Sequence, residues 1–361
     1  MNDKILVVGG YGHVGRYVTL ELIKSFPNKV IVAGRDLEKA DAFAAEQNNS
    51  FEALKLNIYD KENVATGVKN ICVAIMCLTP KNTDFAEYCI KNGIHYVDVS
   101  PSNDVAKSIY HYKQEAKSNN STCILGVGLA PGLSNLLVKE LCQNADELIS
   151  VDISLLLGLG EKLGKDGVKW FLDNIQRNFT LKIDGTDKNF KPFIQKHKTT
   201  FPEPLGKRVA YRFNLADQFI VPQTLSVNNA SSYYCNDSKF ATAYISVLKR
   251  IGMFGLLKYK TAYNLFFKLF MSILSVTQKL KIGTDIYGIQ VDAEGINNGQ
   301  KAQFHIGTMG NNNSLLTGQI AAFAATKLFT ENYPAGVFYL EELFSLSDLN
   351  DFGIKLEITI S

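Results

Sequence analysis

The sequence predicts an α/β protein with a doubly wound parallel sheet at its amino end and a second, α+β domain inserted after it. Three observations carry this expectation. Short apolar runs alternate with helical periodicity over the first 128 residues, a glycine-rich turn follows the first of those runs, and the texture changes near residue 150. Residues 4–8 (KILVV) form an apolar run ending in glycines, as a buried parallel strand does. From Val14 to Ile23 the apolar spacing is helical. A strand is expected at 29–33, a helix at 37–46, a strand near 52–57, a helix near 60–69, a strand at 71–78, a helix at 82–92 and a short strand at 95–99.

Beyond residue 147, the segments 148–157, 179–184, 208–214, 286–292 and 300–307 read as strands joined by long polar loops, with helices at 237–250 and 256–280. Residues 315–330, rich in small side chains, form a further helix that is expected to return to the first domain. The expected domains are therefore 1–130, 131–312 and a returning segment, 313–361.

Gly10, Gly12 and Gly15 form G-x-G-x-x-G in GlyGlyTyrGlyHisValGly (9–15). The pattern alone is weak, but here it follows a strand and opens a helix within one βαβ unit, the context of a Rossmann dinucleotide-binding turn. Gly10 permits the tight turn, Gly12 lets backbone N–H groups approach a pyrophosphate, and Gly15 allows close helix–strand packing. Tyr11, His13 and Val14 complete the loop. The helix amino end adds partial positive charge. At the end of the second strand, AlaGlyArgAsp (33–36) puts Gly34 and Arg35 where an NAD enzyme usually has an acidic residue. A planar guanidinium suits a 2′-phosphate, so NADP(H) is expected ahead of NAD(H). Asp36 is placed to cap the next helix. Asn57, after the third strand, is a candidate adenine contact, and Leu78, Thr79 and Pro80 are candidates beside the nicotinamide ribose. All four are equally readable as turn residues.

Bulk properties narrow the classes. The 361 residues are 46% hydrophobic and 20% charged, and a formal charge of +3 argues for neither a nucleic-acid nor a strong membrane partner. The six cysteines have no CxxC or zinc-like spacing and lie mostly in apolar stretches. The amino terminus is read as lacking a secretory signal, so a reduced, cytoplasmic setting is expected. Residues 253–275 are strongly apolar but interrupted by Lys258, Lys260 and Lys268, which argues against a membrane span. They read either as a buried packing helix or as an interfacial membrane helix.

The combination of residues 9–15, AlaGlyArgAspLeuGluLysAla (33–40), GlyIleHisTyrValAspValSer (93–100) and GlyLeuAlaProGlyLeuSerAsnLeuLeu (128–137) resembles the saccharopine dehydrogenase-like oxidoreductases. ThrGly (317–318) and AlaGlyValPhe (335–338) are similar too. The resemblance covers about the first 140 residues well, the last 45 loosely and the middle poorly. It implies an N-terminal Rossmann doubly wound parallel sheet that binds NADP, an inserted α+β substrate and dimerisation domain, a homodimer, and reduction of imines formed from an amine and an oxo acid. On this resemblance Gly10, Gly12, Gly15 and Arg35 serve the cofactor, and the loop at 98–102 faces the nicotinamide. One departure is Ala130, where saccharopine-forming members carry an acidic residue before the ProGly.

Hydride transfer asks little of the protein beyond orienting cofactor and substrate. Asp98 and Ser100, at the carboxyl end of an expected strand, are candidates for holding a substrate amine or shuttling a proton; alternatively Asp98 is a turn acceptor. Ser100 and Ser102 bind substrate or cap the next helix. Asn135, Tyr211 and Arg212 are candidate substrate residues, the last two near a basic stretch (191–198) able to attract a carboxylate. His95 and Trp170 read as structural. Tyr-x-x-x-Lys, HExxH, GxSxG and a Walker loop are all absent, and no cluster suggests a metal. The leading reading is an NADP(H)-dependent oxidoreductase of a small amino-acid-derived imine or oxo substrate. Two rivals stand beside it: a non-catalytic dinucleotide sensor and a membrane-surface reductase of a lipid-like substrate.

Overall fold

Residues 3–161, 164–279 and 283–360 are described by the computed structural model and group into two compact units. The first unit is Met1–Leu133 with Ser314–Ile354, and the second is Ser134–Asn313 with Lys355–Ser361.

In the first unit the chain runs β1 (Lys4–Val8), α1 (His13–Ser25), β2 (Val30–Gly34), α2 (Leu37–Glu46), β3 (Glu52–Lys55), α3 (Lys61–Gly67), β4 (Ile71–Met76), α4 (Asp84–Lys91), β5 (His95–Asp98), α5 (Asn103–Tyr110), α6 (Lys113–Ser118) and β6 (Thr122–Leu125). The central strands are apolar throughout because helices cover both faces of a parallel sheet. Three helix starts have a side-chain cap. Asp36 accepts the Lys39 N–H, Asp60 those of Glu62 and Asn63, and Ser102 that of Val105. β1 lies between β2 and β4, so the chain leaves it on one side first and returns on the other. The loops after β1 and β4 thus flank the switch point of the sheet, where open α/β sheets bind ligands.

In the second unit come α7 (Ser134–Asn144), β7 (Glu147–Leu157), α8 (Lys165–Gln176), β8 (Phe179–Ile183), β9 (Thr186–Phe190), β10 (Lys196–Phe201), β11 (Gly206–Arg212), α9 (Asp217–Thr224), β12 (Asn229–Asn236), α10 (Lys239–Arg250), α11 (Lys260–Lys279), β13 (Ile286–Asn297) and β14 (Gln300–Asn311). Helix α12 (Asn313–Thr330), then β15 (Gly336–Tyr339), α13 (Leu340–Leu343) and α14 (Leu346–Asp351), lead back into the first unit before β16 (Glu357–Ile360).

The first sheet has the order β15-β6-β5-β4-β1-β2-β3, and all its pairs are parallel. β15 extends the edge beside β6. Small residues let α12 lie close on α1: a side chain at Gly318 would meet the Val18 backbone nitrogen at 3.1 Å. The second sheet, β10-β11-β12-β7-β13-β14-β16, is antiparallel except for β12 against β7. This is the expected fold class, a Rossmann-like parallel sheet with an additional mixed-sheet region.

Three differences from the expected elements have physical reasons. Strand β12 was not expected, because AsnAlaSerSerTyrTyrCysAsn has no apolar–polar alternation; both its faces are enclosed in mid-sheet. The end of the basic stretch 191–198 runs into an unexpected strand, β10, whose lysines face out while Thr199 and Phe201 turn in. Residues 355–361 belong with the second unit, where β16 pairs with β14, whereas all of 313–361 was expected in the first. The end of the expected helix 256–280 lies outside the described residues.

The 253–275 segment divides into a short turn of helix, Met253–Lys258, and most of α11. Phe254 packs on Phe266, and Phe270 stacks on Phe171 of α8. Leu265, Leu269 and Ile273 stay exposed. The helix is half buried. No helix among the described residues is long and apolar enough to cross a membrane.

Candidate dinucleotide-binding site

The turn between β1 and α1 is shaped by what its glycines lack. Gly9 has φ +79°, and the Gly12 N–H bonds back to the Gly9 carbonyl at 2.8 Å. A side chain at Gly10 would meet Val32 and the Val7 carbonyl at 3.0 Å. One at Gly12 would stand 2.9 Å from the Gly9 carbonyl, and one at Gly15 would overlap that carbonyl and lie 2.7 Å from the Gly10 Cα. Gly12 caps α1, so the N–H groups of Val14 and Gly15 in the first turn have no helical acceptor and point where an anion would sit. His13 meets Tyr17 edge-on at 5.9 Å.

At the end of β2 the Tyr11 ring lies directly over Gly34, where a Cβ would fall 2.6 Å from its Cζ, and its hydroxyl accepts the Asp36 N–H at 3.1 Å. Asp36 is committed elsewhere. Its carboxylate caps α2 through Lys39 and pairs with the Lys39 ammonium at 2.6 Å; that hydrogen bond holds the carboxyl below the usual range. Arg35 is exposed and makes no hydrogen bond or ion pair among the described residues.

The remaining candidates of the first unit fall into two groups. Leu78 packs on the glycine turn, within 2.7 Å of where a Gly9 side chain would be; Thr79 is exposed and Pro80 buried. Asn57 folds on itself as a turn residue, its side chain accepting the Tyr59 N–H at 3.3 Å. Asp98 is only 2% exposed, and both of its oxygens are used, by the Tyr96 hydroxyl at 2.9 Å and the Ser100 N–H at 2.7 Å. Burial pushes its carboxyl up to about 7 against the pull of those two bonds. Ser100 is buried too and accepts the Ser102 N–H, while Ser102 caps α5. This makes Asp98 and Ser100 the braces of the 98–102 loop. His95 is structural as well, its Nδ1 accepting the Thr122 N–H at 3.0 Å.

In the second unit the three substrate candidates separate. Asn135 is 0% exposed, in the first turn of α7 beside Ser134, whose hydroxyl donates to Asp217. Tyr211 is 5% exposed and stacks on Phe193 at 5.5 Å, inside an aromatic core with Phe171, Phe213 and Tyr234; Trp170 joins it edge-on. These two are packing residues. Arg212, one position on, points to the opposite sheet face. Its guanidinium lies between Phe190 (4.3 Å) and Tyr233 (5.0 Å) and donates to Ser231 and the Tyr233 hydroxyl.

That face holds a row of polar side chains which residue patterns alone did not reveal. Ser231, Asp152, Asp292 and His305 are register partners across four strands. Asp292 accepts from Thr199 (2.8 Å), Gln290 (3.0 Å) and His305 (2.9 Å), with His197 at 3.4 Å. His197 stacks on Tyr233 at 4.3 Å and lies 3.7 Å from Asp152. Burial alone would raise the Asp292 carboxyl, but these donors outweigh it and hold it down at about 2. Asp152, Asp292 and His305, with His197, Thr199 and Gln290, line a cleft of about 670 Å³. Part of the row's signal was present: Asp152 stands between the apolar stretches of β7, and Asp292 follows the apolar Val291 in β13.

Residues 5–124 match the family model described as the saccharopine dehydrogenase NADP binding domain. The first unit carries an NADP-binding Rossmann-type domain related to the saccharopine dehydrogenase family. Among solved structures, apo saccharopine dehydrogenase (L-Glu forming) from Saccharomyces cerevisiae is 15% identical, with a TM-score of 0.69 over 99% of this chain and 100% of that one. At that identity the likeness is one of fold. C. glutamicum DAP dehydrogenase in complex with DAP is 11% identical over 97% of this chain and 96% of its own, and its TM-score of 0.47 is too low to carry an argument. No curated protein sequence matches the chain. The saccharopine dehydrogenase-related domain thus accounts for the glycine turn and the open β2 end, and makes the chain a dinucleotide-binding protein with an oxidoreductase fold.

Proposed function

We propose that the chain is an NADP(H)-dependent oxidoreductase acting on an amino-acid-derived imine or oxo substrate. The observation that carries the choice of NADP(H) over NAD(H) is the division of labour at the end of β2. Asp36, the one acid near a ribose position, is engaged in capping and pairing with Lys39, whereas the Arg35 guanidinium is exposed and unengaged. Gly10, Gly12 and Gly15 admit a pyrophosphate to the backbone, with Tyr11, His13 and Val14 lining the turn and Leu78 backing it. Asn57, Thr79 and Pro80 complete the proposed contacts at the strand ends.

When bound, the nicotinamide supplies or accepts the hydride. The chain's own part is to orient and to exclude water. Asp98 and Ser100 hold the 98–102 loop in shape without touching substrate themselves. Of the candidates in the second unit, Asn135 and Tyr211 are enclosed, and Arg212 would meet a substrate carboxylate by exchanging its bonds to Ser231 and Tyr233 for the charged partner. A cytoplasmic homodimer belongs to the same proposal, supported by the family resemblance and by six free cysteines. The full engagement of Asp98 favours one second reading, a dinucleotide sensor without turnover.

Calorimetric titration with NADPH and NADH, with Arg35→Ala alongside, tests the cofactor. NADPH is expected to bind more tightly, and the substitution to weaken it about tenfold or more with little effect on NADH. Equal affinities overturn the assignment. Oxidation of NADPH in the presence of oxo acids and amines then separates the enzyme from the sensor.

A further inference from the structure

Helices α10 and α11 carry an apolar surface that no described residue covers. On α10, Phe240 (80% exposed), Tyr244, Val247 and Ile251 recur at helical spacing on the outer side, while Thr242 and Ser246 turn inward. On α11 the outward set is Leu265 (66% exposed), Leu269, Ile273 and Val276, opposite Phe266, Phe270 and Leu274. Leu256 and Tyr259, in the short connection between the helices, are exposed as well. Scattered exposed apolar residues need no explanation, but ten on consecutive elements mark a docking surface.

The charge of the same segment says what docks. Residues 239–279 hold seven lysines and arginines and no acidic residue, which leaves 31 basic against 35 acidic residues in the rest of the chain. Lys239, Lys258, Lys260 and Lys268 are exposed and form no ion pair among the described residues. At the amino end of α10 a groove of about 570 Å³ is lined by Lys196, Lys198, Lys207, Arg208 and Lys239, with no acid in its wall. A second copy of the chain would set this basic surface against itself, so self-association there is opposed by like charge. Paired apolar helices, lysines able to extend their stems along them, and tyrosines at the margin match the interface of an anionic bilayer.

We propose that α10 and α11 dock the protein on anionic lipid surfaces, the outward apolar rows entering the interface and the exposed Lys239, Lys258, Lys260 and Lys268 meeting phosphate headgroups. This surface is separate from the glycine turn, so its failure leaves the cofactor assignment standing.

The test is co-sedimentation of the full chain with phosphatidylcholine vesicles, alone or with about 30% phosphatidylserine. Phe240→Glu/Val247→Glu, Leu265→Glu/Leu269→Glu and Lys258→Glu/Lys268→Glu are compared with the parent, together with sedimentation velocity without lipid. All six positions are exposed, and unchanged thermal melting verifies that each variant is folded. Parent protein is expected to pellet with the anionic vesicles and to be released by salt, each variant partitioning about tenfold less. The proposal is overturned by absence of pelleting, by equal pelleting on neutral vesicles, or by equal pelleting of parent and variants. It is overturned equally if the variants change the oligomeric state instead, since the surface is then a subunit interface.

Discussion

Asp98, at the end of β5 in the parallel sheet, is fully buried and its carboxyl is pushed up to about 7, whereas Asp292, in the middle of β13 in the mixed sheet, is half-buried and its carboxyl is held at about 2. Asp98 receives two neutral donors in a setting closed on all sides. Asp292 sits on the polar face of its sheet and gathers donors from Thr199, Gln290, His305 and His197. Burial and donors act together: the partial burial of Asp292 would still raise its carboxyl, and the donors that the topology supplies reverse that. It also reflects how the two sheets differ. The parallel sheet is covered on both faces and places its chemistry in loops at the strand ends, whereas the mixed sheet keeps one face for side chains that meet across strands. The first unit's site is built from side chains that are missing, the second unit's row from side chains that are present.

Substituting Gly15→Ala attacks the first kind of site where it has no room. The new methyl overlaps the Gly9 carbonyl, so a loss of about 3 kcal/mol of stability, or of about a hundredfold in dinucleotide affinity, is expected by denaturant melts and calorimetry. A variant that binds and melts like the parent would remove the steric account of the turn. Asp292→Ala attacks the second kind. It strands the donors of Thr199, Gln290, His197 and His305 and is expected to cost about 2 kcal/mol, with no change in dinucleotide affinity. Loss of affinity instead would join the row to the cofactor site.

The smallest expected effect is in the pH dependence. The raised Asp98 carboxyl keeps its proton in the folded state above its ordinary value of 3.8, so its contribution to stability falls as pH rises from there through about 7. Asp217, raised to about 6 by burial, acts in the same direction but levels off earlier. Asp292 acts oppositely, its contribution being present above 3.8 and lost as pH falls through about 2. Melting temperature is therefore expected to decline between pH 6 and 7 chiefly through Asp98, and Asp98→Asn to flatten that interval. An unchanged slope would mean that the carboxyl does not stay protonated there.

The parallel sheet was legible because its signals are local. The central strands β1, β2 and β4 are nearly continuous apolar runs, α2, α3 and α5 start at an Asp or Ser, and Gly10, Gly12 and Gly15 sit at fixed spacing directly after β1. Strand β12 was not legible, since enclosure on both faces let serine, asparagine and cysteine stand where alternation would otherwise show. Tyr211 and Arg212 are neighbours in the sequence, and the strand period separates them: one joins the aromatic core and the other the polar row.

By itself the sequence determined that a dinucleotide turn follows β1, that Arg35 rather than an acid ends β2, and that residues 239–279 are basic and apolar together, because each is a property of neighbours along the chain. Only the tertiary structure decided that both Asp98 oxygens are engaged, that Asp152, Asp292 and His305 share a rung, and that half of α11 faces outward. The reason is physical: pairing across a sheet and packing of a helix depend on partners tens to hundreds of residues away, and the enclosure and donors they bring set both the charge of a buried group and the side a helix leaves bare.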